Sequence, residues 1–152
     1  MSDFWENAFK EKQMMWGEIP TKVAAEISEL FKEKGFRKIL IPGLGYGRNA
    51  KVFLEAGFEV TGIEISETAI AIGRSSFGSD LRILHGSVVD MPFDFEKYDG
   101  IFCHALIHLL DTKERRKLIA DCFHQLEAGA GDGIHRYHEE RWFIWRWDQG
   151  GR

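Results

Sequence analysis

Lys38-Ile39-Leu40-Ile41-Pro42-Gly43-Leu44-Gly45-Tyr46-Gly47 is the stretch on which the reading of this chain turns. An apolar run this short, ending in a glycine cluster, reads as a buried central strand of a parallel sheet. Helical spacing resumes at once, with a helix expected over Arg48 to Ala56 and closed by Gly57. Working outward, Phe58 to Glu64 reads as a second strand and Ser66 as the N-cap of a helix reaching about Arg74. Leu81 to His85 and Tyr98 to Cys103 supply a third and a fourth strand. Asp111 with Glu114 forms a capping box at the head of a helix carrying Leu118, Ile119, Cys122, Phe123 and Leu126. Before the first strand, a short helix over Asp3 to Gln13 presents Phe4, Ala8 and Glu11. A second begins at Pro20, repeats Val23, Ala24, Ile27, Leu30 and Phe31, and stops at Gly35. Strands alternating with helices predict an α/β, doubly wound, mostly parallel sheet in three layers, with ligands at the carboxyl ends of its strands.

The remaining composition narrows the function classes. The chain has 152 residues, enough for one domain with its own core. Twenty Lys and Arg against 24 Asp and Glu leave a net charge of -4, and no basic block is interleaved with aromatics. A nucleic-acid partner is therefore not expected. Cys103 and Cys122 lie in apolar stretches and read as buried free thiols of a reducing, cytoplasmic compartment. No apolar run is long enough to span a bilayer, and the charged N-terminus is no signal peptide.

Glycines at 43, 45 and 47, between a strand and a helix, permit tight turning and close backbone approach to a ligand. The dinucleotide fingerprint G-x-G-x-x-G requires its third glycine where this chain has Arg48, which disfavours a nicotinamide-dependent oxidoreductase. Glu64, at the end of the second strand, stands where a carboxylate receives ribose hydroxyls, and on its own it does not choose between cofactors. His104 and His108 are four apart, but there is no HExxH and no evident third ligand, so no metal is expected.

The ordered set of GxGxG, an acid, Gly86-Ser87-Val88-Val89-Asp90-Met91-Pro92-Phe93 and Tyr98 through Leu110 resembles the class I S-adenosylmethionine-dependent methyltransferases over about residues 5 to 128. The resemblance implies a Rossmann-like domain over 1–128, of which 1–35 forms a helical lid or cap. It implies S-adenosylmethionine as cofactor, S-adenosylhomocysteine as product, and methyl transfer to a small-molecule acceptor. Gly43, Gly45 and Gly47 would shape the donor site, Glu64 would hold the ribose, and the Ser87 side chain and Val88 backbone would border the adenine. Asp90 either bonds the exocyclic amine or caps the following turn. His104 would lie near the transferring methyl, as cofactor contact and catalytic residue. Trp16 is assigned to the lid, where an aromatic face near a sulfonium contributes about 0.5–2 kcal/mol; Trp5 is assigned to packing. The chain departs from the family pattern at Ile41, two residues before the first glycine, where an acid is frequent.

Residues 129–152 do not follow that pattern. The family continues from the last helix into an apolar fifth strand and an antiparallel hairpin, whereas Gly129 to Arg152 mixes glycine, histidine, arginine and tryptophan without a strand pattern. The expectation is a domain lacking its usual C-terminal strands, with a frame-shifted tail. Permitted codons for Gly131 through Arg152, moved by one base, encode an apolar strand. Such a loss would leave the fourth strand an open edge, coverable by the tail, a swapped segment or a homodimer. The alternative function is then a domain that binds the cofactor without turnover.

Overall fold

The computed structural model describes residues 2–126, 132–136 and 141–146. Its order begins with helices α1 (Ser2–Lys12) and α2 (Lys22–Glu33), then strand β1 (Lys38–Pro42) and helix α3 (Ala50–Glu55). Strand β2 (Glu59–Glu64), helix α4 (Glu67–Phe77), strand β3 (Leu81–His85), strand β4 (Gly100–His104) and helix α5 (Thr112–Gln125) follow. Four parallel strands in the order β3-β2-β1-β4 make the sheet expected from the alternation.

Helices cover both faces, as a parallel sheet requires. Ile39 and Ile41 face a core shared with Val23, Ala24, Ile27 and Phe31 of α2, Phe53 of α3 and Ile70 of α4. Leu40 points the other way, into a core with Ile63, Ile101, Cys103 and the α5 residues Leu118 and Cys122. Both cysteines are free and buried, which pushes their thiols well up from the ordinary range. The result is a three-layer Rossmann-like domain. Among the described residues, no helix is long and apolar enough to cross a membrane.

Local sequence explains most boundaries. Gly35 adopts φ +73° while Phe36 N–H reaches back to Phe31 O at 3.0 Å, the closing bond of a glycine-terminated helix. Ser66 caps α4 by accepting from Ala69 N–H, and the Asp111–Glu114 capping box is complete. Two helix starts differ from expectation, α3 beginning at Ala50 rather than Arg48. Thr21 rather than Pro20 sets the start of α2, because its hydroxyl can accept from Ala24 N–H and a proline has nothing to offer there. Helix α1 buries Phe9, for which Tyr46 and Ala69 supply the partner surface, while Phe4 is 64% exposed.

Among the described residues the strand that usually follows α5 is missing, as expected, but the tail is not without strands. Leu126 bridges Tyr98 in parallel, but no parallel strand follows α5 among the described residues. Instead β5 (Asp132–Arg136) and β6 (Arg141–Arg146) form an antiparallel hairpin, and β6 pairs antiparallel with β4 from Gly100↔Trp145 to His104↔Arg141. The edge of β4 is thus paired within the chain. Backbone pairing needs no side-chain alternation, which is why the composition of the tail concealed both strands. Of the atypical tail expected over 129–152, residues 129–131, 137–140 and 147–152 lie outside the described residues.

Candidate active site

The carboxyl ends of β1, β2 and β4 open onto a cleft of about 400 Å³. Its floor is the turn after β1. Leu44 N–H bonds Ile63 O at 2.9 Å, and Gly45 N–H donates to Glu64 Oε2 at 2.7 Å, so β2 holds the turn from both its backbone and its last side chain. Gly43 and Gly45 adopt φ +70° and +63°, a region that costs other residues dearly. A Cβ on Gly45 would project to 3.8 Å from Trp16 and 3.9 Å from Phe9. Gly47 differs: a Cβ there would stand 2.8 Å from the Phe77 ring, and the residue does not line the cleft. Its lack of a side chain leaves room for the Phe77 ring of α4.

Glu64 lines the cleft although only 6% of it is exposed. Burial pushes its carboxyl above the ordinary value. Ser66 N–H on Oε1 at 3.0 Å and Gly45 N–H on Oε2 oppose that rise. After β3, Ser87 caps a short 3₁₀ turn over Val88–Asp90, and Ser87 and Val88 both line the cleft. Asp90 is exposed and does not line the cleft. Of the two readings for Asp90, a contact from within the cleft has no geometry to support it.

His104, half-buried at the end of β4, lines the cleft, its ring stacked on Phe102 at 5.9 Å. Ala105 follows with φ +55°, an uncommon conformation for a non-glycine residue and one that turns the chain sharply at the rim. His108 and Glu114 also reach the cleft. Among the described residues, no cluster of three or more His, Cys, Asp or Glu is arranged to hold a metal.

The N-terminal segment forms the remaining wall. Trp16 stacks on Tyr46 at 6.1 Å and 19°, and Phe9 meets Tyr46 edge-on. Tyr46 Oη donates to Gly17 O at 2.6 Å and accepts from Trp16 N–H, while Arg48 Nη1 donates to Trp16 O at 3.0 Å. Trp5, assigned to packing on sequence grounds, lines the cleft too.

The structure therefore gathers Gly43, Gly45, Glu64, Ser87, Val88, His104 and Trp16 around one cavity and leaves out Gly47 and Asp90. Sequence reasoning missed Phe9, Tyr46 and Arg48. The only signal for them was that Tyr46 and Arg48 lie in and beside the glycine motif, which does not reveal their partners on the N-terminal segment.

The sequence profile of the family described as "Methyltransferase domain" matches residues 39–131, more than half of the chain. The chain belongs to that family. Solved structures agree on the fold of this methyltransferase domain. The glycopeptide N-methyltransferase MtfA complexed with sinefungin is 24% identical, over 69% of this chain and 46% of that one, with a TM-score of 0.61. The CcbJ methyltransferase from Streptomyces caelestis is 24% identical, over 71% and 46%, with a TM-score of 0.63. CalS10, an amino pentose methyltransferase from Micromonospora echinaspora solved with SAM bound, is 20% identical, over 86% and 53%, with a TM-score of 0.64. The present chain spans about half the length of each. The comparison with curated proteins finds no match.

Proposed function

We propose that this methyltransferase domain binds S-adenosylmethionine in the cleft and transfers its methyl group to a small-molecule acceptor. The observation that carries the reading is Glu64: a buried carboxylate at the end of β2, lining the cleft and tied to the glycine turn. Backbone N–H groups of Gly45, Ser66 and Ile65 satisfy only part of what a buried carboxylate can accept, and the paired hydroxyls of a ribose are donors of the right kind. The open direction of Gly45 fits the same group, since a Cβ there would occupy the cleft.

In this reading Gly43 and Gly45 bring backbone close to the donor, and Ser87 and Val88 border its base. When bound, the cofactor supplies an electrophilic methyl on a sulfonium. The chain's own part is orientation and exclusion of water. His104 at the rim of β4 takes up the acceptor's proton on a ring nitrogen, and Trp16, Trp5 and Phe9 close the solvent side. With Ile41 buried in the core, Glu64 and Glu114 are the carboxylates on the cleft wall among the described residues.

A second reading, binding without turnover, draws support from the C-terminal hairpin, which stands beside β4 where the family pattern has its fifth strand. Calorimetric titration with S-adenosylhomocysteine, with NAD in parallel, tests the donor site. Micromolar affinity for the first and none for the second is expected; the reverse would overturn the assignment. Labelled-methyl transfer to a panel of thiol, amine and oxyanion acceptors then separates the two readings, because only an enzyme yields labelled product.

A further inference from the structure

The lid helix is joined to the cleft by a polar connection that apolar packing does not require. Glu6, on α1, accepts from Ser66 Oγ at 2.5 Å, from Thr68 Oγ1 at 2.6 Å and from Thr68 N–H at 3.2 Å. All three donors belong to the first turn of α4, where the helix end favours a negative charge. Lys10, one turn further along α1, lies 3.7 Å from the same carboxylate.

Ser66 is the junction. Its hydroxyl donates to Glu6 and accepts from Ala69 N–H, while its own N–H donates to Glu64 Oε1. The other oxygen of Glu64 takes Gly45 N–H. One chain of hydrogen bonds therefore runs from the lid through the α4 cap to the buried acid and on to the glycine turn, across residues some 60 apart in sequence. A buried carboxylate depends on each of its donors, so displacing Ser66 is felt directly at Glu64 and Gly45.

We propose that Glu6 is a positioning residue of the donor site: by fixing Ser66 it fixes the Glu64 carboxylate and Gly45, so that docking of α1 and seating of the ribose-binding acid are one event. The ribose half of this statement rests on the function proposed above.

Amide hydrogen exchange on the ligand-free protein tests the linkage without any cofactor. In Glu6→Ala, the Gly45 and Ser66 amides should exchange about tenfold faster, because local openings there lose a stabilising partner. The amides of Leu40 and Val60 should keep their protection, which shows that the sheet is intact. Glu6→Gln, which retains an acceptor oxygen, should lie between the two proteins. Unchanged exchange at Gly45 would overturn the proposal, as would equal acceleration in the sheet. Calorimetry supplies the second arm, using S-adenosylhomocysteine and its 2′,3′-dideoxy analogue. Glu6→Ala should weaken the first about tenfold and the analogue by less than about threefold, since the analogue has no hydroxyls for Glu64 to receive. Equal loss for both would reduce Glu6 to a lid contact and overturn the positioning role. Failure of the unaltered protein to bind S-adenosylhomocysteine would instead overturn the proposed function and the ribose half with it, while the exchange experiment still decides the linkage.

Discussion

Gly45→Ala and Gly47→Ala look alike in sequence and should behave oppositely. At Gly45, φ +63° is close to the left-handed basin, and the added Cβ would make ordinary contacts at 3.8 and 3.9 Å. The cost to folding is then the left-handed penalty alone, roughly 1–2 kcal/mol. At Gly47, φ +91° lies farther from that basin, whose centre is near +57°, so the backbone term is at least as large. The Phe77 ring at 2.8 Å and Leu81 at 3.2 Å must also shift, which adds roughly 1–3 kcal/mol of overpacking. The totals are about 1–2 kcal/mol for Gly45→Ala and about 2–5 kcal/mol for Gly47→Ala. At this chain length they correspond to falls in Tm of roughly 2–8 °C and roughly 4–20 °C. Binding should order the other way, because only the Gly45 methyl enters the cleft. Thermal melts by circular dichroism, and S-adenosylhomocysteine titrations well below either transition, measure both quantities. A Gly47→Ala protein that melts like the parent, or one that loses as much affinity as Gly45→Ala while folded, would refute the division of labour drawn from the geometry.

Three further outcomes are expected. Glu64→Gln turns an amide NH₂ toward one of the backbone N–H donors that the carboxylate accepts from, at a cost of about 1–3 kcal/mol. Titration with S-adenosylhomocysteine should show affinity falling roughly 10- to 100-fold, and an unchanged Kd would exclude Glu64 from the site. Hydrogen bonds from Ser66 and Thr68 lower the Glu6 carboxyl from 4.5 to about 2. A lowered folded value stabilises above the unfolded one, so docking of α1 should be strengthened above pH 4.5 and lose that support as the pH falls toward 2. Urea unfolding of the parent and Glu6→Gln should show a stability gap near neutrality and its closure in acid; a gap independent of pH would contradict the assignment. Ala105→Gly relieves the left-handed strain at φ +55° against a larger unfolded-state entropy. The net gain should be up to about 1 kcal/mol, a rise of roughly 2–4 °C in Tm, and a lower Tm would show that the conformation is not strained.

Much of the domain was legible in its sequence because the signals are local. The apolar run before Gly43, the Ser66 cap and the Asp111–Glu114 box each act within a few residues, and their elements appear where those residues place them. That the first four strands run parallel follows from the same alternation. Tertiary structure alone decided which motif residues face the cavity. Gly47 stands in the motif yet packs against Phe77, and Asp90 is exposed outside the cleft lining. Likewise Glu6, a surface carboxylate in any helical reading, acquires its role from Ser66 and Thr68, and Tyr46 from Trp16 and Gly17. The pairing of β6 with β4 is of the same kind, since main-chain groups on an edge accept a partner whatever its side chains. Short-range backbone preferences can be read along the chain; contacts between residues dozens of positions apart exist only once the fold has brought them together.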